Sequence, residues 1–153
     1  MPSREKSSVL APQLAAPASP IHGAAPVETA PAPHCVAVVG LGYVGLPLAA
    51  RMAGVGVRCL GIDVQQARVD RINAGVSDIG DVPSELMAPL VKQGLLSAHS
   101  TFDVIGQADA VVICVPTPLS KTRDPDNSYI VRALDSMVPF VHRGQLIVLE
   151  STT

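Results

Sequence analysis

Hydrophobic and polar positions along the chain fall into two textures that meet near residue 34. Residues 1–33 are dominated by Ala, Pro and Ser, with proline at 2, 12, 17, 20, 26, 31 and 33. Proline denies helix and sheet their backbone donors, and too little apolar bulk remains to offset the entropy of ordering. This stretch is expected to be a disordered or polyproline-like extension. From Cys35 onward, apolar runs alternate with helical spacing. Cys35–Val39 is a nearly continuous apolar run, as expected of a strand buried on both faces of a parallel sheet. Leu46–Ala53 repeats its apolar residues at helical spacing, with Pro47 in the first turn, where a missing N–H has no partner to lose. Gly54 and Gly56 stop it, and a second strand is predicted over Val57–Ile62.

The alternation continues to the last residues. A helix is predicted over Gln65–Asn73, with Val69 and Ile72 inward and Gly75 as its stop. Another spans Pro83–Lys92, with Leu86 and Leu90 on one face. A short strand within Leu95–Thr101 and a helical turn over Phe102–Gln107 follow. Ala110–Val115 is a second fully apolar run. Asp126 or Asn127 can cap a helix reaching about Phe140, with Ile130, Leu134, Met137 and Val138 inward. Gln145–Glu150 reads as a last strand after Gly144. Strands alternating with helices imply an α/β fold with a doubly wound parallel sheet.

Composition narrows the function classes. The formal net charge is −2, so no basic patch is expected for nucleic acid or an anionic membrane surface. The aromatic residues are Tyr43, Phe102, Tyr129 and Phe140, with no Trp, too few for base-stacking platforms. Cys35, Cys59 and Cys114 are far apart, have no metal-ligand spacing, and read as small buried hydrophobes in a reducing compartment. No stretch approaches a membrane span. Arg4 and Lys6 precede Val9–Ala11, but Pro12, Gln13 and Pro17 interrupt any continuous apolar leader, so a cytoplasmic location is expected. His22, His34, His99 and His142 have no neighbours that make a triad or a metal site; the last two fall in polar, exposed stretches.

Chemistry is concentrated at strand ends. Gly40-Leu-Gly-Tyr-Val-Gly45 is Gly-x-Gly-x-x-Gly, weak alone but placed between an apolar strand and a helical pattern. The first glycine permits the tight turn, the second lets a pyrophosphate approach the backbone, and the third allows close helix–strand packing. The diphosphate would then meet free N–H groups at the helix start. Asp63 lies roughly 20 residues on, at the end of the second strand, where a carboxylate bonds ribose hydroxyls and repels a 2′-phosphate. The alternative is a surface Asp capping the helix at Val64–Gln65, but the glycines upstream favour the cofactor role. Arg68 reaches the same ribose or is a solvated helix arginine, and an arginine there leaves NADP in play. Val115-Pro-Thr-Pro-Leu119 leaves the fourth strand at its carboxyl end, where such sheets place ligands. Its bland alternative is a Pro-rich turn. Glu150-Ser-Thr-Thr153 brings a carboxylate and three hydroxyls out of the fifth strand. Together these features make the fold a Rossmann-like dinucleotide-binding sheet.

The segments 40–49, 61–63, 114–119, 125–130 and 150–153, taken together, resemble the UDP-glucose/GDP-mannose dehydrogenase family in motif, order and spacing, from Cys35 to Thr153. Pro-Thr-Pro-Leu-x-Lys-Thr-Arg-x-Pro-Asp is most similar to the branch that oxidises UDP-N-acetylhexosamines, typified by UDP-N-acetylglucosamine 6-dehydrogenase. Asn127 stands where that branch commonly has Leu. The resemblance implies NAD bound at the glycine loop, by Gly40, Gly42, Tyr43, Val44 and Gly45, with Asp63 and Arg68 on the adenosine ribose. It further implies that Val115, Pro116 and Thr117 lie along the cofactor, that Glu150 and Ser151 approach the nicotinamide, and that Thr152 helps position a catalytic water. The implied reaction oxidises the C6 alcohol of a UDP-sugar to the uronate, for surface polysaccharide biosynthesis, by two hydride transfers to two NAD. A cysteine captures the intermediate as a thioester, and none of the three cysteines matches it. The resemblance therefore implies an incomplete NAD-binding domain over 34–153, truncated after the fifth strand, inactive alone, and part of a homo-oligomer when complete. Two other readings remain: a non-catalytic NAD-binding module, and the same domain of another dehydrogenase, of hydroxyacyl-CoA or 6-phosphogluconate type. The motifs at 114–130 and 150–153 argue against the last.

Overall fold

A computed structural model of the chain describes residues 32–118 and 126–150. The stretch expected to be disordered, 1–33, lies outside the described residues except for Ala32 and Pro33. From Cys35 the order is β1 (Cys35–Val39), α1 (Gly45–Gly54), β2 (Arg58–Ile62), α2 (Gln66–Asn73), α3 (Ser84–Lys92) and β3 (Leu96–His99). A 3-10 helix (Asp103–Gln107), β4 (Ala110–Ile113), α4 (Ser128–Met137), a second 3-10 turn (Val138–Phe140) and β5 (Leu146–Leu149) follow. The strands form one sheet in the order β3-β2-β1-β4-β5, every neighbouring pair parallel. That is the doubly wound order with its reversal between β1 and β4.

Alternation along the buried strands divides the core between two faces. Val36 and Val38 of β1 join Cys59, Leu96, Ala98 and Ala110 under α1, α2 and α3. Cys35, Ala37 and Val39 join Leu60, Ile62, Val111 and Ile113 under the first 3-10 helix and α4. Every residue of β1 is buried, so its apolar run serves both faces at once. The three cysteines are free and buried, as their apolar settings imply.

Leu86 and Leu90 share one face of α3, as expected, while the inward face of α4 differs from expectation. In α3 the buried residue is Met87, and Leu86 is 64 % exposed. Ile79 and Val82 of the preceding loop already fill the core beneath α3. Leu86 and Leu90 line a groove with Pro47 and Ala50 of α1 and Val55 just beyond it, Leu90 packing half-buried against the core as well. In α4 the buried residues are Ala133 and Met137, one turn apart, while Leu134 and Val138 stand one position round and are exposed. His99 is half-buried rather than exposed, its ring 2.9 Å from the Ser97 hydroxyl.

Candidate functional site

Most of the singled-out residues that the structure describes lie at the carboxyl ends of the strands, with Gly45 opening α1 and Arg68 reaching in from α2. The glycine loop leaves β1, Asp63 ends β2, Val115 to Thr117 leave β4, and Glu150 leaves β5. Ladder-type bonds carry past the strand ends and fix these exits: the Gly40 N–H donates to the Ile62 carbonyl (2.7 Å), Cys114 N–H to Val39 (2.7 Å), and Glu150 N–H to Ile113 (2.9 Å).

The loop can take its shape only with glycine at two positions. Gly40 has φ +94°, and a Cβ there would stand 2.6 Å from the Cys114 carbonyl oxygen. A Cβ on Gly45 would stand 1.8 Å from the Gly40 oxygen, so α1 closes directly on the turn. Gly42 differs: nothing lies within 4 Å of where its Cβ would be. That open space is where a bulky group can come against the backbone. No side chain caps α1 and its first turn holds no acidic residue, so no side chain offsets the positive end of the helix dipole there; the Leu46 and Leu48 N–H groups are taken by the Gly42 and Val44 carbonyls.

Asp63 is 6 % exposed, and its carboxylate joins three elements. Oδ2 accepts from the Leu41 N–H (3.0 Å) and from Arg68 Nη1 (2.9 Å); Oδ1 accepts from the Gln65 N–H (2.9 Å). One side chain thus ties the glycine loop, the start of α2 and a cation to the end of β2. The helix-capping alternative is not what the geometry shows: Asp63 accepts the Gln65 N–H just ahead of α2, no side chain caps that helix, and the carboxylate is buried rather than on the surface. Arg68 is clamped onto it and is not a solvated helix arginine. Three of a carboxylate's roughly four acceptor positions are taken, leaving room for one further donor. The Arg68 Nε is buried without a hydrogen-bond partner. An open backbone approach, a spare carboxylate lone pair and an unsatisfied guanidinium N–H suit a ribose diphosphate.

Two adjoining cavities share Gly40, Asp63, Gln65, Arg68, Val115 and Pro116. One, of about 380 Å³, adds Gly42, Tyr43, Val44, Cys114, Thr117 and Glu150. The other, of about 280 Å³, extends past Asp63 to Phe102 and to Tyr129, Arg132 and Ala133 on α4. Gly45 lies buried behind the loop; Ser151 and Thr152 lie outside the described residues. Burial pushes the Cys114 thiol up to about 11, the Glu150 carboxylate adding to the rise; burial also lifts Cys59 to about 11 and raises Cys35. Burial and the raised values are the setting of small buried hydrophobes rather than of activated thiols.

The sequence singled out neither Leu41 nor the wall contributed by α4. Leu41 is fully buried and seats against Gly61, where a Cβ would meet its side chain at 2.6 Å. A glycine inside an apolar strand is the signal for such a close approach. Asp126 starts α4: its Oδ1 accepts the Ser128 N–H at 2.9 Å, and this bond holds its carboxyl below the usual range.

Known proteins resemble this chain over the same region. The family model described as UDP-glucose/GDP-mannose dehydrogenase family, NAD binding domain, matches residues 34–153. The UDP-N-acetyl-D-mannosamine dehydrogenase of Salmonella typhi is 38% identical over 119 residues, covering 77% of this chain and 28% of that protein. The NDP-N-acetyl-D-galactosaminuronic acid dehydrogenase of Ralstonia nicotianae is 40% identical over 119 residues, covering 77% and 27%. The solved UDP-N-acetyl-mannosamine dehydrogenase Cap5O from Staphylococcus aureus superposes with TM-score 0.71 at 36% identity, over 77% of this chain and 29% of that one. The chain thus spans somewhat more than a quarter of the length of these relatives. It belongs to the UDP-glucose/GDP-mannose dehydrogenase family, of which residues 34–153 are the NAD-binding domain.

Proposed function

We propose that the crevice between β1 and β4 holds NAD, and that the chain is the cofactor-binding part of a nucleotide-sugar 6-dehydrogenase. The observation that carries the reading is Asp63, buried at the end of β2 and bonded at once to the glycine loop and to Arg68, beside the open space over Gly42. In this reading Gly42 admits the diphosphate to the glycine-loop backbone at the positive end of α1, with Tyr43 and Val44 flanking it. Gly40 and Gly45 keep the loop tight. Asp63 and the Arg68 Nε hold the adenosine ribose. Val115, Pro116 and Thr117 run along the cofactor toward Glu150, Ser151 and Thr152, with Thr152 as the residue that positions water. Bound NAD would supply the hydride acceptor for oxidation of an alcohol carbon.

The proposed substrate class is a UDP-N-acetylhexosamine, oxidised at C6 for surface polysaccharide biosynthesis. Its support is in the relatives' names, which specify N-acetylmannosamine and an N-acetylgalactosaminuronic acid. A homo-oligomer and a cytoplasmic location belong to the same proposal; among the described residues no helix is long and apolar enough to cross a membrane. Titration of the purified chain with NAD tests the cofactor site. The expected result is saturable binding that Gly42→Val weakens about tenfold or more without lowering thermal stability, since that side chain enters open space. Unchanged affinity in Gly42→Val, or no affinity in the parent chain, overturns the reading.

A further inference from the structure

We propose that Arg132, held over the ring of Tyr129 on α4, is the stacking wall of the adenine subsite and sets affinity for the adenosine half of the dinucleotide. The proposal rests on the NAD-binding reading above and adds to it a residue that lies outside the glycine loop and the strand ends.

The cavity of about 280 Å³ lies on the far side of Asp63 and Arg68 from Gly42. A group occupying it is therefore joined to the diphosphate through the ribose. Its lining is largely carbon: Val39, Ile62, Val64, Phe102, Val115 and Ala133. A flat heteroaromatic ring suits such a slot, and a second phosphate does not. Tyr129 and Arg132 are three residues apart on α4, hence neighbours on one face of the helix. The Arg132 Cζ sits 5.7 Å from the centroid of the Tyr129 ring. The ring thus pre-orients the guanidinium plane, and a planar cation stacks on purine faces as it does on aromatic side chains.

The other charges around it leave the guanidinium available. The ion pairs among the described residues are Arg68–Asp63 and Arg71–Asp78, and Arg132 is in neither. Its charge reaches Asp126, whose carboxylate bonds the Ser128 N–H instead. Ala133, the next residue, is small and buried, so α4 can approach the sheet while Arg132 and Tyr129 stay at the cavity mouth.

The test is calorimetric titration of the parent chain, Arg132→Ala and Arg132→Lys with NAD, ADP-ribose, nicotinamide mononucleotide and NADP. Both variants change an exposed side chain, and melting temperature checks their folding. Stacking predicts that Arg132→Ala weakens NAD and ADP-ribose by the same factor, about fivefold to tenfold. Lysine, which keeps the charge and loses the plane, should restore little, and nicotinamide mononucleotide should be unaffected. Unchanged ADP-ribose affinity in Arg132→Ala overturns the proposal while leaving the NAD site intact. So does full rescue by lysine, or a loss confined to NADP, which would make Arg132 a phosphate counter-ion. A parent chain that binds neither NAD nor ADP-ribose overturns the NAD reading and this inference with it.

Discussion

Among the described residues the two edges of the sheet differ. At β3, Leu96 and Ala98 are buried beneath helices. The outward N–H and carbonyl of Ala98 are both taken by the Asn73 side chain, each at 2.8 Å, as a neighbouring strand would take them. At β5, Leu146, Ile147 and Leu149 are 62, 46 and 53 % exposed, and no comparable clasp appears among the described residues. An open parallel edge with apolar side chains is a pairing template, whereas a clasped edge is closed to partners. Stability should therefore be concentrated in β1, β2, β3 and their helices, with β5 as a tolerant margin. The crevice proposed to hold the cofactor lies on the seam between the two.

The largest effect should come from the seam. Gly45→Ala drives a Cβ into the Gly40 carbonyl, a backbone atom that cannot swing aside. We expect a loss of about 4 kcal/mol or more in urea unfolding, or no folded protein at all. Leu149→Ala on β5 should cost under about 0.5 kcal/mol, the usual scale for an exposed position. Equal losses from the two substitutions would mean that β5 is as integral to the fold as the glycine loop, and the contrast would be gone.

The edges themselves give the next effect. Asn73→Ala removes two bonds and leaves a buried backbone N–H without its partner, which should cost about 1–3 kcal/mol. Amide exchange should quicken at Ala98 first. Ile147→Lys should leave unfolding nearly unchanged and instead suppress concentration-dependent association, read by light scattering, because a charge on an open edge discourages pairing. If association persists in Ile147→Lys and rises in Asn73→Ala, the β3 edge is the one at risk.

The closed half was the more legible in sequence. Cys35–Val39 is apolar at every position because both faces of β1 are covered, and Gly75, at φ +76°, ends α2 where a left-handed residue is needed. The glycine loop and Asp63 could be read because their chemistry is local to strand ends. What escaped depends on how elements cross. Spacing places Leu86 and Leu90 on one helix face, but loop residues Ile79 and Val82 decided that this face lines a groove. Leu134 and Val138 fit an inward stripe as well as Ala133 and Met137 do, and only the angle of α4 across the sheet separates them. The same crossing brings Tyr129 and Arg132 to the mouth of a cavity built from the ends of β1 and β2 and the segment leaving β4, which no periodicity along α4 announces.

The smallest effect is an acid limb that differs between the halves. Asp109 accepts the N–H groups of Cys35 (3.0 Å) and His34 (2.8 Å), and these bonds hold its carboxyl below the usual range. Asp126 is lowered by its bond to Ser128 at the start of α4. For a carboxyl lowered on folding, the stabilisation is complete above the unfolded value, about 4, and fades as pH falls through it toward the folded one. Asp109→Asn should therefore flatten the decline of the urea midpoint below about pH 4, because Asp109 anchors the first residue of the central strand. Asp126→Asn should leave that decline almost intact and speed amide exchange only in α4. Both carboxylates are solvent-accessible, so each change should be small and should shrink further in salt. A larger acid effect from Asp126→Asn than from Asp109→Asn would place the cooperative unit on the α4 side and reverse the division drawn from the two edges.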